Sequence, residues 1–192
     1  PFDAQHEGFI YGQASACVLL ESHISARRRG KTGLGALLGG AIALHASASS
    51  APDPAGEARA MQSALQHSNL RAEQIDYLNT HGSSSPLGDQ VEIQAIEQVF
   101  GSHFSTLRLN ATKGLTGHCL YAAGVVECIA TLIQMQQDFI HPNRNLLQPI
   151  HAHARFAGAA AEPARIRLAL SNSFGFGGIN TSIVLQNLKH AA

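Results

Sequence analysis

Charge is scarce in this chain: only 14% of its 192 residues are Asp, Glu, Lys or Arg, against a usual share of about a quarter. So thin a charged coat implies that another segment or a second subunit covers much of the surface. Formal net charge is zero with histidines neutral, which gives nucleic acid and anionic membranes no electrostatic handle. The basic run Arg27-Arg28-Arg29-Gly30-Lys31 suits the solvated end of a helix, where cations meet the negative pole of the dipole. No apolar stretch approaches the about 20 residues that span a bilayer, and no signal peptide opens the chain. Three cysteines, without CxxC spacing, argue against a disulfide framework or a structural zinc site. A reducing cytoplasm is the expected compartment. The last absence is chemical: no cysteine or serine sits where it could plainly serve as a nucleophile beside the histidines described below.

The chain is long enough for one domain, or one large half of a bigger unit, burying roughly 70% of its unfolded surface. It begins at Pro1, in Pro-Phe-Asp-Ala-Gln-His-Glu-Gly-Phe, which reads like the interior of a longer protein; a trimmed or processed chain would look the same. Strands and helices alternate. Residues 8–21, with Phe9, Ile10, Cys17, Val18, Leu19 and Leu20, suit a buried strand, and Ser22 can cap a short helix to residue 29. Residues 34–45, apolar and glycine-dotted, read as a central strand, 47–56 as a loop and 57–67 as a helix. A short strand over 75–78 feeds the loop around His81. The spacing of Val91, Ala95, Ile96 and Val99 predicts a helix over 87–100. Residues 107–109 form another short strand, and 121–137 a nearly all-apolar helix buried on most sides. Residues 158–163 form a small-residue loop. Residues 166–170 and 181–186 pair around the turn at 174–178. The pattern predicts a layered α/β domain without internal repeats.

Two histidines stand on glycine-rich loops: His81 in Asn79-Thr-His-Gly-Ser-Ser-Ser-Pro-Leu-Gly-Asp89, and His118 in Thr112-Lys-Gly-Leu-Thr-Gly-His118. Two imidazoles on tight turns are what an enzyme needs to polarise a carbonyl and stabilise an enolate. His81 falls at the carboxyl edge of a strand, where open α/β sheets place ligands. Ser83, Ser84 and Ser85 offer hydroxyls to a polar ligand or a cap to the next helix. His118 precedes a helix whose N-terminus would favour the neutral, donating imidazole. Lys113 can add positive potential or pair with Glu127. The third loop, Ser171-Asn-Ser-Phe-Gly-Phe-Gly-Gly-Ile-Asn180, offers Phe174 and Phe176 as cover for an acyl tunnel and a backbone N–H for an oxyanion hole.

Simpler roles compete. A lone glycine-flanked histidine is more often a turn or packing residue, and the two phenylalanines suit a plain core equally well. Two such loops with a Phe-Gly-Phe-Gly-Gly turn favour chemistry. His6, His23, His45, His67, His103, His141 and His190 read as surface or loop residues. His151 and His153 lack a third ligand for a metal. Cys17 and Cys128 read as small core residues, and Cys119 should point away from His118.

In order along the chain, four motifs resemble the C-terminal half of a β-ketoacyl-[acyl-carrier-protein] synthase. They are the opening Pro1-Phe-Asp…Gly8-Phe…Gly12, His81-Gly-Ser-Ser-Ser-Pro-Leu-Gly-Asp89, Lys113-Gly-Leu-Thr-Gly-His118…Ala122-Ala-Gly-Val-Val-Glu127, and Ser173-Phe-Gly-Phe-Gly-Gly-Ile-Asn180. The third is similar to the elongating, carrier-protein-dependent branch. The resemblance implies a C-terminal ketosynthase domain over residues 1–192 with a thiolase-like fold, in which two similar α/β halves form a five-layer sandwich, usually dimeric. It implies decarboxylative Claisen condensation in fatty-acid or polyketide synthesis, with His81 and His118 binding the malonyl thioester carbonyl. Lys113 and Glu127 match the supporting charged pair, Phe174 and Phe176 the acyl-pocket gate, and the Phe176 N–H the oxyanion hole. Ser83 and Ser85 stand where threonines touch the phosphopantetheine arm. No cofactor is implied, because substrates ride on acyl carrier protein. The partners implied are that carrier, the N-terminal half bearing the cysteine nucleophile, and a second subunit in a homo- or heterodimer.

Gln13, Ile179 and the two serines depart from the usual residues without removing a catalytic group. A non-catalytic or chain-length-shaping subunit of a heterodimer is the alternative. Thiolase-type condensation on coenzyme A is disfavoured, because the last cysteine is Cys128.

Overall fold

The computed structural model describes residues 1–46 and 51–189. Its centre is a six-stranded mixed sheet built from β1 (Gly35–Leu44), β2 (Tyr77–Asn79), β3 (Arg108–Asn110), β5 (Arg155–Phe156), β7 (Leu168–Gly175) and β8 (Ile179–Asn187). The strand order is β1-β8-β7-β2-β3-β5. The β1–β8 and β8–β7 pairs are antiparallel, whereas β7, β2, β3 and β5 run parallel. A two-stranded ribbon of β4 (Phe139–Ile140) and β6 (Glu162–Pro163) lies apart.

Side-chain alternation along the strands splits the core in two. Leu78, Leu109, Leu170 and Val184 pack with α2 (Pro54–His67) and α3 (Pro86–Phe100) through Met61, Ile93 and Ile96. Their sequence neighbours Tyr77, Ala169 and Leu185 face the opposite side, with Met135 of α5 (Ala123–Gln137) and Ile166. This is a mixed sheet flanked by helices, as expected. Asp53 caps α2 by accepting the Gly56 N–H at 2.6 Å, with Pro54 in the first turn. The loop that the sequence predicts over 47–56 thus ends at Asp53, three residues short; within it residues 47–50 lie outside the described residues, as does His190. Ser22 caps α1 (His23–Arg28), as its sequence predicts, its Oγ accepting from Ser25 N.

Several expectations are corrected. Residues 8–21 form no strand among the described residues. Backbone contact there is confined to Ile10–Gly12, and Leu19 (87% exposed) and Ile10 (78%) stand in solvent. An extended apolar segment becomes a strand only when a neighbour supplies ladder partners, and beyond the single bridge to His118 no described residue supplies them. Cys17 on it is exposed rather than in the core, while Cys128 is half-buried. The 35–44 strand is an edge of the described sheet, not its centre.

Helix α5 is not buried on most sides either. Its buried stripe is Ala123, Glu127, Thr131, Gln134 and Met135, while Val125, Ile129 and Ile133 lie half-buried or exposed. The polar residues thus face inward, where Tyr77 and Lys113 meet them. His6 and His141 are not surface residues. The His6 side chain is 5% exposed against Asp89, and His141 is buried.

Candidate active site

The parallel register brings the loops together. Asn79 pairs with Asn110 on one side and with Ser171 on the other, so the chain leaves β2 and β3 at one sheet edge, where β7 continues toward Phe174. The His81 and His118 rings lie 5.4 Å apart at 77°, and Phe174 stands 6.0 Å from His81. Both histidines, Ser83, Ser85, Phe174 and Phe176 line one open groove of about 2290 Å³. Phe176 is 76% exposed at the hairpin tip. Ser85 occupies the N-cap position of α3, but its hydroxyl makes no cap bond. Ser83 Oγ instead accepts the Ser85 N–H at 3.3 Å.

Lys113, at the start of the single helical turn α4 (Lys113–Thr116), is buried and its ammonium has three recipients. It donates to His81 O at 2.5 Å, to His81 Nδ1 at 3.3 Å and to Glu127 Oε1. Three donors are all an ammonium has. Because His81 Nδ1 accepts, the proton of the neutral ring sits on Nε2. Burial, then the Lys113 charge and then His118 hold the His81 imidazole well below its ordinary range. His118 reaches the same state by another route. Its Nδ1 accepts the Leu120 N–H at 3.1 Å, and burial followed by Lys113 pushes its pKa down to about 4. His118 stands before a 3-10 turn over Leu120–Ala122 that runs directly into α5, and the N–H its ring accepts is the first of that turn. Glu127 is pushed up to about 7 by burial, against the pull of Lys113.

Some positioning groups escaped the sequence reading. Glu92 accepts the N–H groups of His81 and Gly82, both at 2.8 Å, and the Asn172 amide at 3.2 Å. Burial raises its carboxyl to about 7 despite these donors. The signal was available: Asp89, Glu92, Ile93 and Ile96 share the buried stripe of α3, and a carboxylate there demands partners. Asp89 accepts Phe2 N at 2.5 Å and Ser84 N at 3.0 Å, tying the chain start to the His81 loop.

The other loop is held by the segment around Gly12. His118 N donates to Ile10 O at 2.7 Å, Gly12 N donates to His118 O at 3.0 Å, and Phe9 lies 5.2 Å from the His118 ring. A Cβ on Gly12 would meet Thr116 O at 2.5 Å and Gly117 C at 3.0 Å. Backbone has nowhere to yield there, so Gly12→Ala is expected to cost about 1–3 kcal/mol, the usual price of overpacking. Chemical denaturation measures this, and an unchanged midpoint would disprove the close approach. Among the described residues, no group of three or more His, Cys, Asp and Glu could hold a metal ion. His151 instead lies against Glu97 and Phe104.

A mixed sheet between helices, with two neutral imidazoles and a buried lysine–glutamate pair at the carboxyl edge of its parallel strands, defines an α/β domain of thiolase-like architecture. A family model described as the β-ketoacyl synthase C-terminal domain matches residues 34–147. The chain belongs to that family. It is 41% identical, over 98% of its length, to the polyketide biosynthesis malonyl-ACP decarboxylase PksF of Bacillus subtilis (strain 168), of which it covers 45%. It is 38% identical to the chloroplastic 3-oxoacyl-[acyl-carrier-protein] synthase II of Arabidopsis thaliana, covering 98% of this chain and 36% of that protein. The solved ishigamide ketosynthase/chain length factor superposes with a TM-score of 0.91 at 29% identity, over 97% of this chain and 46% of that one. The chain spans about half the length of most of the curated relatives it matches.

Proposed function

We propose that residues 1–192 are the histidine-bearing half of a carrier-dependent ketosynthase-type site, and that His81 and His118 decarboxylate a malonyl thioester. One observation carries this reading. Each imidazole is neutral with Nδ1 already accepting a hydrogen bond, so each keeps an Nε2–H that no described residue takes. Two such donors on one thioester carbonyl oxygen stabilise the enolate that forms as the bond to the terminal carboxylate breaks. The bond's electron pair enters the enolate and carbon dioxide leaves. A neutral donor does this without protonating the enolate prematurely.

In the condensing reading, the carbanion then attacks an acyl group held on a cysteine outside this chain. Ser83 and Ser85 would meet the phosphopantetheine arm, Phe174 and Phe176 would gate the acyl chain, and the Phe176 N–H would serve the second oxyanion. The partners are acyl carrier protein, an N-terminal half that covers the exposed apolar groove, and a second subunit. A second reading ends at decarboxylation, with the carbanion protonated to an acetyl thioester. It is favoured by the likeness to PksF, whose name describes that outcome, and by a histidine pair that needs no cysteine for this step. A chain-length-shaping role is the non-catalytic alternative.

The test is mass spectrometry of the carrier after the complete protein meets malonyl-carrier protein, with and without an acyl primer. A 3-oxoacyl product made only with primer supports condensation, and acetyl-carrier made without primer supports the decarboxylase. No turnover of either kind rejects both in favour of the non-catalytic role. The neutral state has its own check. Carbon-bound imidazole protons of His81 and His118, followed by NMR, should not titrate between pH 7.5 and 5.5, where a free imidazole with pKa near 6.5 mostly protonates. Titration of either ring near 6.5 would remove the neutral-donor argument.

A further inference from the structure

One buried imidazole stands outside the pair. His141 follows β4, and its ring lies beneath the loops rather than in the groove. Its Nε2 is 3.1 Å from Thr112 Oγ1, and that hydroxyl donates its one hydrogen to Asn79 Oδ1 at 2.7 Å. Toward His141 the hydroxyl can therefore only accept, so this contact calls for a proton on Nε2. Nδ1 lies 3.1 Å from Asn110 Nδ2, which also donates to His141 O at 2.6 Å, and 3.0 Å from the Pro142 carbonyl oxygen, which can only accept. Burial holds the ring below its ordinary pKa, against the opposing pull of the Pro142 carbonyl. Asn79 carries the network across to Ser171 of β7 at 3.2 Å. Each contact lands beside a residue of the site: Thr112 precedes Lys113, and Asn79 stands two residues before His81.

We propose that His141 is a positioning residue that locks the Lys113 loop to the His81 loop through the contacts from His141 Nε2 to Thr112 Oγ1 and on to Asn79 Oδ1. One side chain thereby joins members of both loops in a single connected, buried network. Without the ring, Thr112 loses a hydrogen-bond partner and the hydroxyl can rotate away from Asn79. The ammonium would then lose its fixed aim at His81 Nδ1. The proposal rests on the decarboxylation reading for its effect on rate, but not for the loop coupling itself.

The complete protein is compared with His141→Ala, His141→Gln and Thr112→Val by two measurements. Hydrogen–deuterium exchange should speed up in His141→Ala across both 79–85 and 111–118, and much less in His141→Gln, whose amide can still donate. Malonyl decarboxylation should lose about 10- to 100-fold in kcat with KM little changed, as misaimed groups do. Thr112→Val should behave alike, and the double variant should fall short of the product of the two losses. Faster exchange confined to the β4 region, or fully multiplicative losses, would overturn the proposal. Should the wild-type protein release no carbon dioxide, the decarboxylation reading fails, and exchange in the two loops alone decides the coupling. If His141→Ala does not fold, Thr112→Val and His141→Gln carry the same comparison.

Discussion

Replacing His81 or His118 by alanine in the complete protein is expected to lower kcat for malonyl decarboxylation by about 10²–10³-fold, the usual cost of one lost donor to a developing oxyanion. Each ring offers one Nε2–H because its Nδ1 is engaged, so each substitution removes half of the enolate's support. The groove and its remaining walls stay in place, and KM should move far less than kcat. Carbon dioxide release from malonyl-carrier protein measures this. A variant within about threefold of wild type would remove its histidine from the mechanism. The two positions should differ in stability. The His81 ring holds the charged Lys113, whereas the His118 ring holds only the Leu120 N–H, and its backbone bonds to Ile10 and Gly12 survive the substitution. His81→Ala should therefore disturb its neighbours more.

Lys113→Met should have the largest effect on stability, about 3–5 kcal/mol, because breaking one partner of a buried ion pair leaves an uncompensated charge. Lys113 and Glu127 are both buried and the second carboxylate oxygen, Oε2, has no partner among the described residues. Glu127 would respond by taking up a proton. Its folded pKa already lies near 7, above the ordinary carboxyl value of 4.5, and losing Lys113 moves it higher. A carboxyl whose folded pKa is raised contributes stability below its unfolded pKa and loses it as pH rises through the folded one. The variant should therefore be penalised more at pH 8.5 than at pH 5.5. Urea unfolding at both values checks the sign, and an equal penalty would refute it. Lys113→Met with Glu127→Gln should recover much of the loss, since neither charge then remains buried. In the single variant the two histidines should also regain basicity, because Lys113 depresses both.

The sequence made the loops legible because their chemistry is local. Glycine next to histidine, a lysine five residues before His118, and glycines through 175–178 mark turns and reactive groups without any knowledge of the fold. The glycine-rich turn at 174–178 likewise made the pairing of 166–170 with 181–186 readable. Residues 8–21 misled for the opposite reason. Their apolar composition reports what they are suited to touch, and strand formation depends on a partner edge. Helix α5 misled in the same way: its apolar residues are real, but the stripe turned toward the sheet carries Glu127, Thr131 and Gln134.

By itself the sequence determined the family, the α/β layering, and the residue types available for polarising a carbonyl. Those follow from short-range spacing and from motifs in fixed order. Only the tertiary structure decided what state those residues are in. The register of β2 against β3 and β7 sets the histidines 5.4 Å apart. Burial beside Lys113 keeps both rings neutral, and Glu92 and Asp89 of α3 and His141 after β4 reach the loops from elsewhere along the chain. Protonation and aim depend on distance and desolvation, and these come into being only when segments separated in sequence pack against one another.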